Sequence, residues 1–353
     1  MSSRLDRARE LTTAAGADVF LAARPSSVTW LSGYPVDIET GPSPYALSPL
    51  VLLEPDGSLV AIASEDDAPA FEELGCRVVS FPGFTIDALD PVGNTRRALR
   101  KAVAGRRVAS EPGWLPAALA EGHEVADVTD DVVRARTIKD EDELDRIRTA
   151  IAVCDAGQRG AREHARPGVS ELELWGAIRV ALELAAGERI PALADLVTGP
   201  RTEHVGGPPS RRILEEGDLV ICDLVPRVDG YWGDSCATIA VGEPKEMARR
   251  QWAASREALA RGLDAIRPGI SGHDLDALVR GALDYPHHTG HGIGGDFHEE
   301  PRIVAGSSTV LEPGMVVALE PACYGGGCGV RCEYVAVVTD DGCDVLSRHE
   351  LEL

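Results

Sequence analysis

Apolar residues recur along the first 130 positions in short blocks separated by turn formers. Residues 3–15 carry them at helical spacing, 17–23 form an apolar run closed by Arg24-Pro25, and Ser26–Ser32 reads as a short helix stopped by Gly33. Leu50–Leu53 and Leu59–Ala63 flank a Pro-Asp-Gly turn, which predicts a hairpin or two neighbouring strands. Glu72–Leu74, Val78–Ser80, Thr95–Ala104, Val108–Ser110 and Pro116–Ala120 continue the alternation, so this part reads as α/β. It contains no GxGxxG or P-loop, and its acids do not cluster at strand ends, so it is assigned no chemistry. From Thr137 the pattern turns to a long helix with Leu144, Ile147, Ile151 and Cys154 on one face. A boundary near residues 130–135 follows, with an N-terminal domain over 1–134 and a second domain over 135–353.

The second domain is organised around Leu219–Val241, an apolar run interrupted by Asp223 and followed, after an Asp229-Gly230 turn, by Asp234. An ionised carboxylate buried without a partner costs several kcal/mol or more, so Asp223 demands a cation or an edge strand facing water. The turn places both acids on adjacent antiparallel strands. The run has a second copy: LEEGDLVICD (214–223) lies over LEPGMVVALE (311–320), putting Glu320 where Asp223 stands, and Glu333 follows a Gly-rich turn as Asp234 does. Upstream, ARPGVSELELWGAIRVALE (165–183) resembles IRPGISGHDLDALVRGALD (266–284). Each half is thus a helix opened by Pro-Gly and a Ser cap, Ser170 or Ser271, followed by a hairpin with two acids. Facing halves bring four carboxylates together, and four cannot all ionise unless cations sit among them.

Between the halves, residues 287–298 hold four of the nine histidines in a Gly-rich stretch. A neutral imidazole there completes a carboxylate-rich coordination sphere suited to two divalent ions, roughly 3.5–4 Å apart and bridged by carboxylate and water. Such ions depress the pKa of the bridging water to roughly 7, which points to a hydrolase.

The formal net charge of −22 excludes nucleic acid and anionic membranes as natural partners. The N-terminus lacks a signal-peptide core and no run approaches 18 apolar residues, so a cytoplasmic location is expected. The eight cysteines are scattered through apolar segments, as reduced thiols are; Cys328 and Cys332 flank Glu333 without forming a CxxC pair.

GDLVICD…GD, HTGHGIG…FHEEP, GMVVALEP and GVRCE resemble the signature segments of the M24 metallopeptidases, in the prolidase and Xaa-Pro aminopeptidase branch. GADVFLAARPSSVTWLSGY (16–34) resembles that family's N-terminal domain, and RTIKDEDELDRIRTA (136–150) its link to the catalytic domain. The resemblance implies an α+β chain whose pita-bread catalytic domain has pseudo-twofold halves and follows a smaller creatinase-type α/β domain. It also implies a homodimer acting on a small peptide or small-molecule substrate. Carried over by residue, it makes Asp223, Asp234, His291, Glu320 and Glu333 ligands of two divalent ions, Mn, Co or Zn. His287 and His298 become catalytic residues that contact substrate, Glu320 a proton shuttle, and Arg331 a substrate-binding residue beside the last ligand.

Three segments depart from the family pattern. Gly206 stands in the register of a His-Gly pair, which leaves His204, two residues earlier, as the substitute substrate-binding residue. DSCAT replaces DxTRT, so Cys236 and Ala237 remove a hydroxyl and a cation, and Tyr334 stands where an acid is common. Three readings result: a dimetal hydrolase of Xaa-Pro bonds, of dipeptidase or aminopeptidase P type; a metal-dependent hydrolase of a small amidine or cyclic amidine; and an inactive binding protein. Open space over Gly206 is expected to favour a substrate group that fills it, and to weaken turnover of plain Xaa-Pro dipeptides.

Overall fold

The computed structural model describes residues 3–39, 45–83 and 89–353. The chain divides into two compact units, Met1–Arg136 and Thr137–Leu353.

In the first unit, strands β1 (Val19–Ala22), β2 (Leu50–Leu53), β3 (Leu59–Ser64), β4 (Arg77–Phe81), β5 (Val108–Ser110) and β6 (Val125–Asp127) form one sheet in the order β4-β3-β2-β1-β5-β6. The β2–β3 hairpin is antiparallel, and β1–β5, β5–β6 and β3–β4 are parallel. Helices α1 (Arg4–Ala14), α2 (Pro25–Ser32), α3 (Ala68–Glu73), α4 (Pro91–Val103), α5 (Ala117–Ala120) and α6 (Thr129–Ala135) intervene. Phe20 and Ala22 of β1 join one core with Ala8, Trp30 and Phe71, while Val19 and Leu21 join another with Leu99 and Leu119. Cover on both faces is why these strands read as unbroken apolar runs.

The second unit opens with α7 (Glu141–His164) and α8 (Glu171–Ala186). A first sheet follows, of β7 (Ala192–Thr198), β8 (Leu219–Val228) and β10 (Ser235–Ala240), in the order β10-β8-β7 with β9 (Tyr231–Trp232) paired to β8. After α9 (Glu246–Ala265) and α10 (Gly272–Arg280), β11 (Gly290–Gly292), β12 (Glu299–Ile303), β13 (Val316–Leu319), β16 (Tyr334–Val338) and β17 (Cys343–Val345) form a second sheet, β12-β11-β13-β16-β17. Strands β14 (Ala322–Gly325) and β15 (Cys328–Arg331) pair as a separate arm. Leu144, Ile147 and Ile151 of α7 pack with Trp232 and Ile293 and with Val316 and Val335 of the second sheet, so α7 bridges both sheets.

The duplication persists bond for bond. Gly168 N–H donates to Leu214 O as Gly269 N–H donates to Leu311 O, and Gly217 N–H reaches Val241 O as Gly314 N–H reaches Val338 O. Ser170 and Ser271 cap their helices by accepting from Glu173 N–H and Asp274 N–H. Each cap also bridges to its own half, Ser170 to Ile213 and Ser271 to Val310. No helix among the described residues is long and apolar enough to cross a membrane.

Candidate metal centre

The five ligand candidates occupy corresponding places in the two sheets. Asp223 lies mid-strand on β8, and Asp234 immediately precedes β10, beyond the Asp229-Gly230 reversal where Asp229 has φ 47° and Gly230 φ 83°. Glu320 immediately follows β13 and Glu333 immediately precedes β16, with the β14–β15 arm between them. His291 is the central residue of β11, which lies between β12 and β13. That strand is squeezed: a Cβ at Gly290 would come within 2.1 Å of Ala318 O, and one at Gly292 within 2.2 Å of Glu300 O. The glycines flanking His291 are therefore needed for β11 to fit between β12 and β13.

Asp234, His291 and Glu333 present ligand atoms within 4.8 Å of one another, and so do Asp223, Cys236 and Glu333. His291 Nε2 stands 3.6 Å from Asp234 Oδ2 and 3.7 Å from Glu320 Oε1. Its Nδ1 faces Gly292 O at 2.9 Å, so Nδ1 carries the proton and Nε2 turns its lone pair to the acids. Burial pushes the His291 imidazolium down to about 3, which keeps the ring neutral and able to ligate.

The acids are strained by their own company. Burial, then the neighbouring Glu320 and Asp195 charges working against Arg331, raise Asp223 to about 7. Burial and the Asp223 charge push Asp234 well up, and burial with Asp234 does the same to Glu333. Glu320 is the exception: burial works to raise it, yet the hydrogen bond from His288 and the Arg331 charge hold it at about 2. Asp223 Oδ1 and Glu333 Oε1 are buried without a hydrogen-bond partner. An unsatisfied buried acceptor costs about 1–3 kcal/mol, and more when charged, so these hard oxygens fit a divalent cation.

Around this set, three expectations change. Arg331, expected at the substrate, is 3 % exposed; its Nη2 donates to Asp223 Oδ2 at 2.5 Å, its Nη1 to Val205 O at 2.9 Å, and its Nε to Cys236 Sγ at 3.3 Å. With its donors committed inward it is a counter-charge for the acids, not a free anchor. His204 is exposed at the end of the 3₁₀ turn Gly199–Glu203, its N–H on Arg201 O, and it is the backbone of Val205 and Gly206 just after it that meets Arg331 and Asp195. The space over Gly206 is not open: a Cβ there would lie 2.0 Å from Asp195 Oδ2.

The remaining histidines divide their contacts. His287, mostly buried, meets Tyr324 Oη through Nε2 at 3.1 Å and comes within 3.7 Å of Glu320 through Nδ1. His288, given no role from the sequence, has its Nε2 2.6 Å from Glu320 Oε1. His298 is exposed and lies tilted at 57° against His291 with ring centroids 4.0 Å apart; burial of part of the ring and the His288 charge lower it to about 4. His288, His291 and His298 could also gather their nitrogens within 4.8 Å. Tyr324 was missed because the fold of the β14–β15 arm, not its spacing from Glu320, brings its hydroxyl to His287, and Asp195 because it reaches the site from β7, outside the repeated segments.

Four carboxylates and a neutral imidazole converging from two halves, with acceptors left unsatisfied, are the centre of a metal-dependent hydrolase. Comparison with known proteins places it further. The family model for metallopeptidase family M24 matches residues 145–340, and the Creatinase/Prolidase N-terminal domain matches 4–138. The chain is 34 % identical over 322 residues to "Probable dipeptidase PepE" of Mycobacterium tuberculosis, covering 87 % of this chain and 83 % of that protein. It is 34 % identical over 234 residues to the Xaa-Pro dipeptidase of Pyrococcus furiosus, covering 64 % of this chain and 67 % of that protein. A solved Xaa-Pro dipeptidase from Bacillus anthracis superposes with TM-score 0.85 at 27 % identity, over 99 % of this chain and 98 % of that one. The chain belongs to metallopeptidase family M24, with its creatinase-type N-terminal domain and pita-bread catalytic domain.

Proposed function

We propose that this chain hydrolyses Xaa-Pro bonds of short peptides, as a dipeptidase or aminopeptidase of the P type, with two divalent ions, manganese, cobalt or zinc. The observation that carries the reading is the duplicated acid pair closing on His291, supported by the relatives named Xaa-Pro dipeptidase. Asp223, Asp234, His291, Glu320 and Glu333 would hold the ions. Such ions supply a nucleophile at neutral pH by lowering the pKa of water to roughly 7, and they polarise the scissile carbonyl.

The chain's own groups handle the protons. Glu320, ionised and hydrogen-bonded by His288 at 2.6 Å, can take a proton and pass it to the prolyl nitrogen, which has no N–H of its own and must gain one to leave. His298, neutral at working pH, stands as a donor for developing negative charge on the carbonyl oxygen, while His287, its Nδ1–H on the His288 carbonyl and its Nε2 at the Tyr324 hydroxyl, positions that hydroxyl beside Glu320. The eight free thiols support a reducing cytoplasmic setting, and a homodimer is part of the reading.

The test is metal analysis with a panel of Ala-Pro, Leu-Pro, Met-Pro, a prolyl tripeptide and cyclic amidines. We expect prolyl substrates to be cleaved with kcat/KM above roughly 10⁴ M⁻¹s⁻¹, and Asp234→Asn to lose both turnover and bound metal. Metal-loaded protein that cleaves no prolyl peptide overturns the reading.

A further inference from the structure

Strands β7, β8 and β10 align Asp195, Asp223 and Cys236 in one cross-strand row, Asp195 opposite Asp223 and Asp223 opposite Cys236. Side chains directly opposite share a sheet face, so all three point to the metal centre's side. Arg331 lies along this row, 3.3 Å from Cys236 Sγ, 2.5 Å from Asp223 and 3.9 Å from Asp195. The row runs from a fully buried thiol to a carboxylate that is 41 % exposed, so Asp195 is its solvent-facing end.

The charge of Asp195 is left over. The inner acids have Arg331 among them and acceptors suited to divalent cations, whereas Asp195 meets Arg331 only at 3.9 Å, after that guanidinium has closed on Asp223. Arg201, the other guanidinium on this side, is bonded to Glu171, Ser210 and the Pro208 carbonyl. The position of Asp195 is also specific, because its carboxylate rests on the bare Cα of Gly206 where any side chain would displace it. A carboxylate lodged against Gly206 at the open end of the site, sharing at 3.9 Å a guanidinium already closed on Asp223, keeps charge for a further cation.

We propose that Asp195 is a specificity-determining residue that binds a cationic group of the substrate residue ahead of the scissile bond, its α-ammonium or a basic side chain. This rests on the proposed peptidase reading. The experiment compares two matched pairs on the metal-loaded full chain: Lys-Pro against norleucyl-proline for a side-chain cation, and Leu-Pro against 4-methylpentanoyl-proline for the α-ammonium. In at least one pair the cationic member should be preferred, and Asp195→Asn should reduce that preference roughly 10–100-fold, the worth of one hydrogen-bonded charge, with bound metal unchanged. Gly206→Ala, whose methyl takes the place of the carboxylate, should reproduce the loss. If the wild type cleaves prolyl dipeptides and Asp195→Asn leaves both ratios within about twofold, a range too small for a charged contact, the inference falls while the peptidase reading stands. If no prolyl substrate is cleaved, the peptidase reading falls, and calorimetric affinities for the same pairs decide the inference: no tighter binding of either cationic member overturns it.

Discussion

Replacing Arg331 with Met tests whether this guanidinium is the internal counter-charge of the metal centre. The side chain is 3 % exposed and pairs with Asp223 at 2.5 Å while lying 4.0 Å from Glu320, so its loss leaves clustered buried acids without their nearest cation. Breaking a buried pair by removing one partner costs about 3–5 kcal/mol. For a unit of this size each kcal/mol shifts the melting temperature by about 2–4 °C, so the metal-free variant should melt about 6–20 °C lower at pH 8. The deficit should shrink toward pH 5. Asp223 has a folded-state pKa raised to about 7, so below that value it becomes neutral and needs no partner. Saturating divalent metal should restore part of the loss, since ligand at a thousandfold excess over Kd contributes about 4 kcal/mol. Scanning calorimetry of wild type and variant, metal-free and loaded, at both pH values reads all of this. A metal-free variant that melts within about 2 °C of wild type at pH 8, less than one kcal/mol on this scale, would refute the reasoning.

His298→Ala should lower kcat by roughly 10²–10⁴-fold with metal content unchanged; loss of metal in that variant would instead place the ring among the ligands, beside His288 and His291. Metal uptake should release protons, because Asp223, Asp234 and Glu333 have raised pKa values in the folded chain and bind protons that an ion must displace. Apparent affinity should therefore climb as pH rises through about 7, where Asp223 titrates. Calorimetric titrations in buffers of different ionisation enthalpy measure the release, and a value of zero at pH 6.5 would contradict the raised acids.

The acids and the repeat were legible because both are violations of local expectation: Asp223 interrupts an apolar strand, and LEPGMVVALE repeats LEEGDLVICD. The histidine cluster was legible from its density, yet which ring meets Glu320 was not. His287 and His288 are neighbours in sequence, and the choice is made by Tyr324 on the β14–β15 arm, which holds His287 and leaves Glu320 to His288. Asp195 was invisible for a similar reason. Its meaning comes from the register of β7 on β8 and from the bare Cα of Gly206, and neither contact is encoded near residue 195 in sequence. Gly206 itself read as an absence of a side chain, and as open space, although the fold uses that absence to admit another residue.

The bond-for-bond duplication has a consequence for how the catalytic unit breathes. Each half carries one acid pair and its own capped helix, but the pairs face each other across the seam, so neither half alone closes a coordination sphere. An ion held by both pairs would act as a rivet, since parting the halves would then break ligand bonds from each side at once. Metal loading should therefore slow amide exchange most along β8, β10, β13 and β16, adding to the shared α7 core and the Glu333 N–H to Cys236 O bond that already join the halves.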